Sequence, residues 1–155
     1  MKKLQFLFVF SFLYLFYFLE CKSQIVIIDG GEGWKHKVDS ALSIIKTYDT
    51  TNYNNLLSVC HQISYCTDNF STIEYPDNII LSTTDVRVGS VYDVASAIVH
   101  ESRHLYIYQN NITLPYNKEE YLCYDYELRF LRRIPNVDNY LILNCKRMMS
   151  YFSSK

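Results

Sequence analysis

The sequence predicts a single α+β domain behind a short apolar leader. Turn-bounded β-branched runs occur in the first half, the second half carries apolar residues at helical spacing between capping signals, and no repeat or Pro-, Gly- or Ser-rich linker divides the chain. The 155 residues are 49% hydrophobic and 20% charged, which excludes a disordered tail or a collagen-like fibre. A net charge of −1 gives no electrostatic ground for nucleic acid as a partner.

Lys2 and Lys3 precede an apolar, Phe-rich stretch over residues 4–19, which is shorter than the ~20 residues needed to cross a bilayer. Residues 1–23 therefore read as an export signal. Cys21 and Ser23 are small enough to sit three residues and one residue before a cut ahead of Gln24. The alternatives are an uncleaved anchor that tethers the domain to a membrane, or a lipoprotein acylated at Cys21, for which Glu20 is a poor neighbour. Each puts residues 24–155 outside the cytoplasm, secreted or membrane-anchored. Cleavage removes three lysines and one glutamate and leaves the domain weakly acidic.

Residues 25–28 are expected to form a first strand, ended by Asp29-Gly30-Gly31. Trp34, Val38, Ala41, Leu42 and Ile45 predict an amphipathic helix over 34–48. Residues 56–65 fit helix and strand equally. Tyr75-Pro76-Asp77-Asn78 is turn chemistry, and 79–81 is the next strand. Ser90 and Asp93 have capping-box spacing, and neither Gly nor Pro occurs over 91–114, so a helix is expected over 91–109. Asn117 with Glu120 forms a second such pattern, opening a helix to about residue 133. Asn136 is expected to cap a last helix over 137–152, giving three helices in series.

Four cysteines remain after the leader: Cys60, Cys66, Cys123 and Cys145. None has CxxC spacing, and in an oxidising compartment the economical pairing is Cys60 with Cys66 and Cys123 with Cys145. Asn69-Phe70-Ser71 and Asn111-Ile112-Thr113 fit the glycosylation acceptor pattern.

The helix over 91–109 contains His100-Glu101-Ser102-Arg103-His104, an HExxH motif. Residues four apart lie about 40° apart on a helix with a rise of about 6 Å, so both imidazoles can reach one metal ion. Glu101 points from a neighbouring direction, where a carboxylate can accept a proton from water without displacing it. With four His and seven Glu in the chain, HExxH would arise by chance in about 0.5% of such sequences, which favours chemistry over coincidence. Zinc needs a third protein ligand and an open fourth position. His36 and His61 lie far upstream, so a carboxylate on the next helix is expected. Glu120 is preferred, with Glu119, Asp125 and Glu127 as alternatives; adjacent Glu119 and Glu120 point about 100° apart, so only one should face the ion. Arg103 reads as a surface charge.

Residues 95–131, with the apolar lead-in Ala95-Ser96-Ala97-Ile98-Val99, HExxH and the later Glu120, resemble the zincin metallopeptidases, and among them the gluzincin arrangement of HExxH followed by a Glu on the next helix. The resemblance covers about a quarter of the chain. It implies a small zincin-like domain with a short mixed sheet, an active-site helix and two following antiparallel helices. It further implies Zn2+ held by His100, His104 and Glu120, Glu101 as general base, and a peptide or protein substrate held extended along residues 79–82. The alternative is an exported binding domain of the same shape, with zinc structural or absent.

Overall fold

The computed structural model describes residues 24–28, 30, 31 and 33–154. The leader and cleavage site expected over 1–23 lie outside the described residues. Among those described, no helix is long and apolar enough to cross a membrane.

Among the described residues the architecture is α+β, as expected, with six helices and a small four-stranded mixed sheet. Strand β1 (Val26–Ile27) is followed by helices α1 (Trp34–Tyr48) and α2 (Thr50–Val59). Strands β2 (Gln62–Cys66), β3 (Thr72–Glu74) and β4 (Asn78–Ser82) come next, then the short helix α3 (Thr83–Val88). The second half is α4 (Val91–Gln109), α5 (Tyr116–Leu131) and α6 (Asn139–Ser153).

The strand order is β1-β2-β4-β3, with β1, β2 and β4 parallel and β3 antiparallel to β4. Ile63 pairs with Ile79 in register, and both are fully buried. β4 has a neighbour on each side, so the expectation that 79–82 holds an extended substrate fails: its backbone is already committed to β2 and β3.

Helices α1 and α4 meet over one core in which Val38, Ala41, Ile45, Val94, Ala95, Ile98 and Leu105 are buried together with Ile79 and Leu81. Burial of each such aliphatic side chain stabilises by about 1.5–3 kcal/mol, and the three- and four-residue spacing of Val38, Ala41 and Ile45 on α1 follows from it. The approach to α4 is tight. Gly89 leaves room for a backbone turn that a Cβ would block, since that atom would lie 2.5 Å from the Asp85 carbonyl. Lys37 Nζ on α1 donates to the carbonyls of Val86 and Gly89 at 2.5 and 2.8 Å, which ties α1 to the start of α4.

The boundaries of α4 follow the sequence expectation. Ser90 Oγ accepts from Asp93 N and the Asp93 carboxylate accepts from Ser90 N at 2.7 Å, closing the capping box. The second expected box does not form. Helix α5 starts at Tyr116 behind Pro115 with no side-chain cap, because Pro115 supplies a preset φ near −60° and leaves Glu120 free to turn towards α4. The cap of α6 also shifts: Asn136 takes a left-handed φ of 57°, and Asp138 accepts from Tyr140 N instead. Residues 56–65, open in the sequence, divide between α2 and β2.

The disulfides expected from cysteine spacing are not present, and all four thiols are free. Cys66 ends strand β2, and extended chain at about 3.3 Å per residue carries it well beyond the 7 Å that a disulfide allows from Cys60. Cys60 Sγ donates instead to the Gln62 carbonyl at 3.1 Å. Cys123 lies beside the histidines, while Cys145 lies beside Glu127, so the two thiols serve different turns of α5.

Candidate metal centre

Helix α4 is buried on several sides, and its apolar residues do not occupy the whole circumference. Ser96, His100 and Glu101 are also buried, at 2%, 8% and 8% exposure, and must find polar partners there. Ser96, His100 and His104 succeed one another at four-residue spacing, so they form one polar line on the side that meets α5. Helix α5 answers with carboxylates.

His100 Nε2 lies 3.6 Å from Glu120 Oε2, and His104 Nε2 lies 3.5 Å from Glu120 Oε1. These separations are longer than a hydrogen bond. Two ligands each 2.0–2.1 Å from a tetrahedral ion sit ~3.3–3.4 Å apart, so both gaps are close to those of ligands sharing a zinc-sized cation. The opposite edge of each ring is also occupied: His100 Nδ1 is 3.1 Å from Glu127 Oε2, and His104 Nδ1 is 2.7 Å from Glu119 Oε1. Ser96 Oγ hydrogen-bonds the other oxygen of Glu127. The imidazole centroids are 5.1 Å apart, and the Tyr124 ring packs edge-on against His100 at 4.4 Å.

Cys123 is the additional donor. Its Sγ and the ligand nitrogens of His100 and His104 all lie within 4.8 Å of one another, a group that can hold a metal ion. The sequence reading weighed this thiol mainly as half of a disulfide. Full burial raises the Cys123 pKa, and the charges of Glu120 and Glu119 raise it further, so the thiol stays protonated unless a cation offsets them. For Glu120 burial raises the pKa but the facing imidazoles win and hold its carboxyl below the usual carboxylate range, which suits a carboxylate ligand.

Burial disfavours the charged form of His100, yet the carboxylates of Glu120 and Glu127 outweigh it and push its pKa up to about 10. For Glu101 burial wins: its carboxyl is pushed up despite the opposing pull of His100 and His104. A buried carboxyl with a raised pKa is a stronger base than an ordinary carboxylate and so better suited to taking a proton. Two imidazoles, a carboxylate and this base fit a divalent cation of zinc type, whose ligands are nitrogen and oxygen at this count.

The other residues singled out in the sequence fall away from the centre. Asp125 pairs with Arg129 at 2.6 Å along α5, and Arg103 lies over the rings of Tyr106 and Tyr126. A cleft lined by Ile25, Ile27, Leu42, Lys46, Tyr53 and Leu57 lies on the α1–α2 face and includes none of the metal-centre residues. Neither a protein-family model nor a curated protein matches the chain, so the metal centre rests on its own geometry.

Proposed function

We propose that the chain is a zinc-dependent hydrolase acting on peptide or protein substrates outside the cytoplasm. The observation that carries this reading is the convergence of the two HExxH imidazoles on one carboxylate at 3.5 and 3.6 Å, beside a buried acid. His100, His104 and Glu120 would hold the ion. When bound, the ion supplies a Lewis acid that polarises a carbonyl and makes water acidic near neutral pH.

The chain's own residues supply the rest. Glu101, one residue from a ligand on a rigid helix, takes a proton from the attacking water at its carboxylate and passes it to the leaving amine. Its raised pKa favours taking the proton, and the leaving amine, a far stronger base than any carboxylate, draws it off again in the return step. Burial of His100 and Glu101 restricts bulk water around these charges and strengthens their interactions. No covalent intermediate on the protein is required.

The test is metal analysis of the purified exported form followed by digestion of a peptide library. About one zinc per chain with cleavage removed by chelation supports the proposal. One zinc without cleavage favours the binding-domain alternative, and absence of zinc after loading would overturn the hydrolase reading and leave only a binding domain without metal.

A further inference from the structure

We infer that Glu119 and Glu127 are positioning residues, each holding one histidine by its Nδ1 edge so that both Nε2 edges face the Glu120 carboxylate, where the ion would sit. The inference rests on the metal-site reading above and extends it to the chemistry around the ligands.

The argument starts from hydrogen-bond capacity. An ionised carboxylate only accepts, so the imidazole nitrogen in contact with it must carry hydrogen. Glu127 is 7% exposed and is met by Ser96 Oγ on one oxygen and His100 Nδ1 on the other. The Cys145 thiol on α6 is a further hydrogen-bond partner of the same carboxylate. Partners on both oxygens satisfy a carboxyl group that would be costly to bury bare. Glu119 does the same for His104 at 2.7 Å, from the first turn of α5. With hydrogen kept on Nδ1, Nε2 is the nitrogen left to give up any proton to a metal, and the Nε2 atoms are the ones that face Glu120.

Each ring is therefore held at one edge and presented at the other. Partners of this kind fix ring rotation and tautomer and raise ligand basicity, and their loss typically weakens metal affinity about 10–100-fold. The carboxylates come from one helix, whose residues 119 and 127 are two turns apart, while the histidines they serve are one turn apart on α4. The reach of the Glu side chains and the crossing of the helices make up the difference.

The experiment measures zinc affinity by chelator competition for the full exported chain and for Glu119→Gln, Glu127→Gln and Asp125→Asn, with circular dichroism confirming the fold of each. Glu119 is partly exposed, so its replacement tests the inference even if Glu127→Gln is unstable. Each glutamate variant should bind zinc about 10–100-fold more weakly, and Asp125→Asn, whose carboxylate faces Arg129, should bind as the parent does. Nitrogen-15 NMR of the zinc-loaded parent should show hydrogen on Nδ1 and metal on Nε2 for both histidines. Unchanged affinity in both glutamate variants, or coordination through Nδ1, would overturn the inference while leaving the metal site standing. A parent chain that binds no zinc would remove both together.

Discussion

At the sheet end of the molecule His61 Nδ1 meets Asp77 Oδ2 at 2.9 Å; in the seam between α4 and α5, His100 and His104 meet Glu127 and Glu119 at 3.1 and 2.7 Å. Pair geometry alone does not distinguish the two places. The His61 side chain is 58% exposed, so water can replace its partner and screen its charge. The seam histidines are about 10% and 13% exposed, and their second nitrogens face a further carboxylate. A site arises where both edges of two rings are claimed and the surrounding helices exclude solvent.

The most severe way to break that contrast is to remove a ring. His100→Ala should reduce bound zinc from about one per chain to none and abolish hydrolysis, whereas His61→Ala should leave both unchanged; metal analysis after dialysis reads the difference. Next in size, Glu101→Gln should keep zinc and lower kcat about 10²–10⁴-fold, read by peptide hydrolysis at saturating substrate. Full activity in that variant would remove Glu101 from the chemistry.

Proton release sharpens the same comparison. With its pKa raised to about 10, His100 carries a proton near neutrality in the metal-free chain, and zinc must displace it. Apparent zinc affinity should rise about tenfold per unit between roughly pH 6 and 8, and calorimetry in buffers of different ionisation heat should detect the released proton. The metal-free fold should respond in the opposite sense. A raised imidazole pKa contributes stability fully present below its unfolded value and lost as pH climbs towards about 10, so the melting temperature of the metal-free chain should fall over that window. The smallest effect belongs to the surface pair, where Asp77→Asn should change stability by no more than about 1 kcal/mol in a denaturant titration.

The sequence made the helix that bears HExxH legible because its signals are local: Ser90 and Asp93 close their box within one turn, and Asn110 ends the helix. That a carboxylate of the next helix faces the two imidazoles could be reached by the same reasoning, and Glu120 does so. Helix α2 and strands β2 and β3 were not foreseen. Thr50–Val59 is polar at its start and depends on the Asp49 cap, and the strands have five and three residues whose pairing is decided by distant partners. The 100° between Glu119 and Glu120 does not send one of them away from the histidines. Glu119 approaches the other edge of His104, a direction that sequence spacing does not encode. The thiol pairings failed for a related reason, because residue counts cannot tell that Cys123 on α5 lies beside the histidines while Cys145 on α6 lies beside Glu127.

Because Glu119, Glu120 and Glu127 all ride on α5 and both imidazoles ride on α4, the centre has two halves and one dividing plane. A shift of α5 by a single ångström would loosen every contact at once rather than one after another. Assembly should therefore be all-or-none with respect to that rod, and whatever seats it, including the last helix packed behind it, governs the whole centre in one stroke.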